Sequence, residues 1–168
     1  MVDAPFMLCA GEALTDMIHQ GDERWVSRVG GSTWNVARAL AVLGEPTAFA
    51  GAISRDRFGD ALWTASEAAG LDLRLLQRVD RAPLLAVVEG GEPPRYFFIG
   101  DDSADLHFDP SALPAGAFDG LRWAHFGGIS LAREPLAHRL IALAEQLHAA
   151  KIPLSYDPNF RNRMGPAL

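Results

Sequence analysis

The sequence predicts an α/β protein with a parallel sheet joined by helical crossovers, and three observations carry that expectation. Short apolar runs at 6–10, 47–50 and 71–77 alternate with segments whose apolar residues recur at helical spacing. Glycines punctuate the alternation: Gly11 and Gly51 close the first two runs, and Gly44 and Gly70 end the helical segments. The rhythm then breaks at 84–99, where two β-rich runs follow one another without a helix between them. Such a pair reads as an antiparallel hairpin, a flap outside the main sheet.

Taken in order, Phe6–Ala10 reads as a buried strand that delivers Glu12 and Asp16 just past its C-terminal end. Open α/β sheets bind their ligands at that edge. The favoured reading of Glu12 is a helix cap or a salt bridge; Asp16 serves equally well as such or as an acceptor for ligand hydroxyls. Gly21-Asp22 marks a turn, and Trp25–Val29 leads into the most distinctive stretch, Arg28 to Gly44. There Gly30-Gly31 ends a β-branched run and opens a helix that Ser32 or Thr33 is expected to cap. Val36, Ala39, Leu40 and Leu43 define its expected apolar face, and Gly44 and Pro46 stop it. Asn35 falls in the first turn, where free backbone N–H groups point outward. Its amide offers both a donor and an acceptor, which with the glycines suits a polyhydroxylated small molecule. A turn followed by an ordinary capped core helix is the competing reading.

Gly51 to Asp60 is expected to be a loop and helix start, with an amphipathic helix from Phe58 through Leu62 and Ala65 to Ala69. Leu71–Gln77 holds the next strand. In the hairpin, Leu84–Glu89 and Arg95–Ile99, the strand period puts Tyr96 and Phe98 on one face and Phe97 and Ile99 on the other. One aromatic face could cover a ligand; ordinary packing or a dimer contact explains the rings as well. The acidic stretch Asp101 to Gly120 lacks EF-hand spacing and reads as solvated surface. Trp123–Phe126 is a strand ending at Gly127-Gly128. Pro135 starts a helix reaching about Ala150, with Leu136, Leu140, Leu143 and Leu147 toward the core. Ile152–Tyr156 is the last strand and runs into Asp157-Pro-Asn-Phe-Arg-Asn-Arg163, a carboxylate, an amide and two guanidinium groups at the same sheet edge, with a surface loop turning at Pro158 as the competing reading.

Composition excludes several classes. The formal charge is −6 over 168 residues, with one lysine, Lys151, and scattered arginines, so there is no footprint for nucleic acid or anionic membrane. A lone cysteine, Cys9, leaves no disulfide framework, and no signal-like leader or membrane-length apolar run is present; a cytoplasmic protein is expected. Gly-Lys is absent, so no Walker A loop exists, and no Gly-x-Gly-x-x-Gly follows the first strand. The five histidines lack metal-ligand spacing, and His125 reads as a satisfied core residue.

Together the motifs resemble the N-terminal half of the PfkB (ribokinase-like) carbohydrate kinases, closest to the fructokinases. Cys9-Ala-Gly-Glu-Ala-Leu-Thr-Asp16, Gly30-Gly31-Ser-Thr-Trp-Asn35 and Gly51-Ala-Ile-Ser-Arg-Asp-Arg-Phe-Gly59 carry the likeness, as do Pro94-Arg-Tyr-Phe-Phe-Ile99, Ser103-Ala-Asp105 and Asp157-Pro-Asn-Phe-Arg161. The resemblance spans essentially all of 1–168 and implies a three-layer α/β/α Rossmann-like domain with a small β lid, whose strands fall around 25–30 and 84–99. It further implies that Asp16, Gly31 and Asn35 bind sugar hydroxyls and that Phe98 approaches the sugar from the lid. Asn159 would lie near the phosphates of ATP, and Arg161 near the phosphoryl-acceptor end.

ATP and Mg2+ are the implied cofactors, and a homodimer through the lid is an implied partner arrangement. The family's second signature, a Gly-Ala-Gly-Asp run that supplies the catalytic base, is not among these residues. The expectation is therefore a chain holding much of a sugar site, inactive on its own, with Arg161 as a helper and apolar faces exposed if made alone. The position that in keto-deoxy sugar-acid kinases carries an arginine looks like Gly100, which favours a neutral ketose such as fructose. A 2-keto-3-deoxygluconate or other sugar or nucleoside kinase is the alternative within the class. A non-catalytic sugar-binding or dimerisation module is the alternative outside it.

Overall fold

The computed structural model describes residues 6–89 and 95–159. In chain order the strands are β1 (Phe6–Ala10), β2 (Leu14–His19), β3 (Trp25–Gly30), β4 (Thr47–Ser54), β5 (Leu76–Val79), β6 (Leu85–Glu89), β7 (Arg95–Ile99), β8 (Leu121–Gly127) and β9 (Leu154–Asp157). The helices are α1 (Ser32–Val42), α2 (Arg57–Ala68) and α3 (Leu136–Ala149). Among the described residues, five strands form a parallel sheet in the order β5-β4-β1-β8-β9, and four form a second sheet in the order β3-β2-β6-β7.

Side chains alternate across a strand, so each central strand feeds two cores. Leu8 and Ala10 of β1 join Ala48, Ala50, Ala124 and Phe126 in a cluster covered by Leu136, Leu140, Leu143 and Leu147 of α3. Cys9 points the other way and joins Phe49 and Ile53 beneath Trp34 and Ala37 of α1 and Leu62 of α2. The result is three layers, helix on sheet on helix. A parallel sheet covered on both faces needs apolar residues at every position, and all eight residues of β4 are buried. Burial pushes the Cys9 thiol up to about 12, which makes it a core filler without thiolate chemistry.

Several expectations need correction. β4 runs on through Gly51 to Ser54, so the loop expected from Gly51 is a strand continuation; the helix after it starts at Arg57, capped by Asp56, which accepts from the N–H groups of Phe58 and Gly59. Only the end of the 71–77 run is strand, because Leu73–Leu75 form a 3-10 turn capped by Asp72. Leu14–His19 is a strand that its mixed polar pattern concealed. The apolar face of α1 is only partly the expected one: Val36 and Leu40 pack on the core, but its buried centre is Thr33, Trp34 and Ala37, while Ala39 is exposed and Leu43 is 80% exposed. Trp34 sets that centre, since a fully buried indole outweighs a terminal leucine, and its Nε1–H donates to Ser66 on α2 at 2.9 Å.

The stretch 101–120 is not uniformly solvated. Asp105 is buried and receives the guanidinium of Arg133 at 2.6 Å, with the Ser103 hydroxyl alongside. Burial raises the Asp105 carboxyl above its ordinary value, opposed by Arg133. Arg133 also donates to the Gly100 carbonyl, tying the end of β7 to the start of α3. His125 is only half satisfied: Nδ1 meets Ser155 Oγ at 2.9 Å, while its buried Nε2 has no partner among the described residues. Burial pushes its pKa down, which keeps the imidazole neutral.

Removing one partner of a buried ion pair strands the other charge, at a cost of about 3–5 kcal/mol. Arg133→Leu is therefore expected to lower unfolding stability by that order, read as a fall in the urea midpoint at unchanged slope. An unchanged midpoint would contradict the assignment of this pair as buried.

Candidate functional site

The parallel sheet changes direction at β1. Chain order proceeds outward from β1 to β4 and β5 on one side, and to β8 and β9 on the other. A crevice opens beyond the C-terminal ends of two strands where such a reversal occurs, here β1 and β8. Into it lead Gly11–Ala13 after β1 and the 3-10 turn Gly128–Ala132 after β8. The second sheet stands over this edge, since β2 begins only three residues after β1 ends and β3 runs directly into α1.

Register in the second sheet brings distant residues into one row. Asp16 pairs with Arg28 on β3 and Ala86 on β6, and Ala86 pairs with Phe98 on β7. Directly opposed residues share a face, so Arg28, Asp16, Ala86 and Phe98 line the same side. That side looks toward the crevice, because Phe98, Ala86, Leu14 and Leu84 pack against Ile129 of the turn after β8. Tyr96 is two residues further along the face and is exposed. Phe97 and Ile99 lie on the opposite face and are exposed as well.

Asp16 is half-buried, and its carboxylate has no hydrogen-bond or ion-pair partner among the described residues. It lies over Gly30, where an added Cβ would sit 2.5 Å from Oδ2. Desolvation pushes its pKa up. An unpaired, partly desolvated acceptor is costly to keep unless a ligand pairs with it. Gly31 follows at φ 116°, a conformation side chains avoid, and a Cβ there would come 2.6 Å from the Glu12 carbonyl. Asn35 sits one turn into α1, exposed, its backbone N–H donating to Gly31 O at 2.9 Å and its side-chain amide unpaired among the described residues. The Asp16 carboxylate thus lies at Gly30, immediately before the glycine that opens α1, and Asn35 stands in the first turn of that helix.

The N-terminus of α1 is capped otherwise than expected. Its N-cap residue is Gly31, and neither Ser32 nor Thr33 caps it through its own side chain. Glu12, 1% exposed, does so from outside: Oε1 accepts the Ser32 N–H at 2.9 Å. Thr33 Oγ1 donates instead to the Glu12 carbonyl at 3.0 Å. The capping role expected of Glu12 holds, though it caps a helix twenty residues away. Burial pushes its carboxyl up, opposed by hydrogen bonds from Ser130 and Ser32.

Asn159 lies two strands from β1, in the turn after β9, with its N–H on Asp157 Oδ1 at 2.8 Å. It is not brought into the corner that holds Asp16 and Asn35. Arg161 lies outside the described residues, as does the hairpin turn Gly90–Pro94. Sequence reasoning missed Ser130 and Arg133; the one signal for Ser130 was a glycine pair after a strand, the pattern that marked the α1 corner. Among the described residues no group of three His, Cys, Asp or Glu suits a metal ion, and no helix is long and apolar enough to cross a membrane.

A three-layer domain with a switch-point crevice, roofed by a second small sheet that carries a free carboxylate, is a ribokinase-like α/β fold. Similarity to known proteins narrows this further. The chain belongs to the pfkB family of carbohydrate kinases, whose family description it matches over residues 5–168. It is 32% identical over 161 residues to a fructokinase of Rhizobium leguminosarum bv. trifolii, covering 92% of this chain and 48% of that protein. A fructokinase of Klebsiella pneumoniae is 31% identical over 155 residues, covering 90% of this chain and 50% of its own length. The crystal structure of fructokinase with bound ATP from Xylella fastidiosa superposes with a TM-score of 0.88 at 30% identity, over 97% of this chain and 52% of that one. The chain thus spans about half the length of the curated relatives it matches.

Asp16 gives the site a pH signature. Because its folded pKa is raised, its neutral form favours the fold below the ordinary value of 3.8, and that contribution is lost as pH rises through the folded value. Asp16→Asn is therefore expected to unfold at higher urea than the parent chain at pH 7. The difference should vanish below the carboxylate range. Equal midpoints at pH 7 would mean Asp16 is not desolvated.

Proposed function

We propose that this chain forms the sugar-binding part of an ATP-dependent sugar kinase, with fructose as the acceptor. The observation that carries the reading is the Asp16 carboxylate, unpaired among the described residues, lying at Gly30 just before α1 and in one row with Phe98 across the second sheet. Vicinal hydroxyls each need an acceptor and a donor when they leave water. Asp16 accepts from them, Asn35 both donates and accepts, and close approach at Gly31 lets the ring reach the start of α1. Phe98 covers an apolar face of the ring from the second sheet, which acts as the lid.

Phosphoryl transfer asks the protein mainly for position and charge stabilisation. Holding one hydroxyl in line with the terminal phosphate is the task of the residues above. The phosphates of ATP would pass near Asn159, whose amide stands beside Asp157 at the end of β9. Mg2+ would neutralise charge on those phosphates and be held chiefly by them, in keeping with its preference for few carboxylates and several waters. By the family resemblance, Arg161 would add a cation near the acceptor end. The proton acceptor for the sugar hydroxyl is assigned to no residue of this chain, so the chain alone is expected to bind sugar without turning it over.

A neutral sugar is favoured over a sugar acid on charge grounds. The position that would hold a carboxylate-binding arginine is Gly100, where a Cβ would lie 2.7 Å from both Leu84 Cδ1 and Ser103 Oγ. The guanidinium nearby, Arg133, is already occupied by Asp105, Ser103 and the Gly100 carbonyl. A homodimer is proposed through the outer face of the lid, where Phe97 and Ile99 are 47% and 52% exposed on the edge strand β7.

The test is ADP release by the full-length gene product with fructose and with 2-keto-3-deoxygluconate. Fructose is expected to be the better substrate, and Asn35→Ala to raise KM for it at least tenfold, about the loss of one or two hydrogen bonds. Preference for the keto-deoxy acid would overturn the substrate. An unchanged KM in Asn35→Ala would remove this corner from the sugar site.

A further inference from the structure

We infer that Glu12 and Ser130 are a pair of positioning residues that set the sugar affinity of this site by fixing the first turn of α1 against the turn after β8. The inference rests on the proposed sugar site and assigns to two residues outside it the work of holding it in register. Neither residue is exposed to a ligand: Glu12 is 1% and Ser130 0% exposed.

The pair sits at the switch point itself, between the strands β1 and β8 that flank the crevice. Ser130 Oγ–H donates to Glu12 Oε2, and the Glu12 backbone N–H donates back to Ser130 Oγ at 2.8 Å. The second carboxylate oxygen, Oε1, takes the Ser32 N–H, and the Glu12 carbonyl takes the Thr33 hydroxyl. One residue therefore clamps three chain segments, at 11–13, 31–33 and 128–130. Space for the clamp exists only because Gly31 and Gly128 lack side chains; a Cβ at either would collide with the carbonyl or the carboxylate of Glu12. Residues that bind sugar in the proposed site lie in or next to each segment: Asp16 follows the first, Gly31 lies in the second with Asn35 just beyond it, and Phe98 packs on Ile129 of the third.

A carboxylate is suited to this task because both of its oxygens accept, and it can hold a hydroxyl and a backbone N–H at once. Glutamine keeps Oε1 for Ser32 and turns its NH2 toward Ser130 Oγ, so position is largely kept. Alanine leaves the Ser32 N–H and the Ser130 hydroxyl without partners.

The experiment combines two readouts on Glu12→Ala, Glu12→Gln and Ser130→Ala. Amide hydrogen exchange of the chain itself, without any sugar, is expected to lose protection at 32–35 by tenfold or more in Glu12→Ala. Ser130→Ala should lose less, Glu12→Gln least, and β4 should stay protected in all three. In the full-length gene product, KM for fructose is expected to rise in the same order while kcat changes less than threefold. Unaltered exchange at 32–35 in both Glu12→Ala and Ser130→Ala would overturn the inference. So would a fall in kcat with KM unmoved. If Glu12→Ala does not fold, Ser130→Ala and Glu12→Gln decide alone by the same two readouts. Faster exchange at 32–35 in the variants, with a parent protein that phosphorylates no sugar, would overturn the sugar-kinase reading and leave the clamp standing as a structural device.

Discussion

A buried carboxyl group must find partners for both oxygens, and in this protein that requirement is met at the junction of the two sheets. Glu12 has left water entirely, and burial raises its pKa, so its position is tolerable only with Ser130 and the Ser32 N–H in place. Satisfying it fixes the entry to α1, the exit from β1 and the turn after β8 together. The row Arg28, Asp16, Ala86 and Phe98 in the second sheet inherits its placement from that junction, because β2 leaves it and β3 returns to it.

The second constraint is the buried Arg133–Asp105 pair, which joins the end of β7 to the base of α3. Ion pairs of this kind add little net stability but penalise every arrangement that separates them. With Glu12 at one end and Arg133 at the other, the turn 128–132 becomes a strut. Ser130 holds the start of α1 through Glu12, Ile129 supports Phe98, and Arg133 anchors the chain leaving β7. The second sheet has its footing in this strut, while Trp25, Tyr96, Phe97 and Ile99 on its edge strands stay exposed.

Against this stand polar groups that have no partner among the described residues. Asp16 is half-buried without a partner, and His125 Nε2 and Thr15 Oγ1 are buried and unpaired among the described residues. Natural proteins keep such groups where function uses them and offset the cost elsewhere. Asp16 fits that pattern because it lies on the face of the second sheet that looks toward the crevice. His125 faces α1 beside Cys9 and stacks on Trp123, and no role follows from that placement.

Much of this was legible in the amino-acid order. The short apolar runs and their glycines determined the parallel strands, the leucines at 136, 140, 143 and 147 determined the buried face of α3, and the helix-free interval at 84–99 determined the hairpin. These are local signals, governed by periodicity and turn chemistry. Tertiary structure decided what depends on partners far along the chain. Leu14–His19 became a strand only by pairing with β3 and β6, whose register also set Asp16 opposite Phe98. The buried centre of α1 was set by Trp34 against Ser66, not by the helix's own apolar count. Asp105 went inside because Arg133 met it there, and Glu12 capped a helix twenty residues distant. Sequence periodicity records which face a residue prefers; a buried charge records nothing until its counterpart is in place, because its cost is set by that counterpart alone.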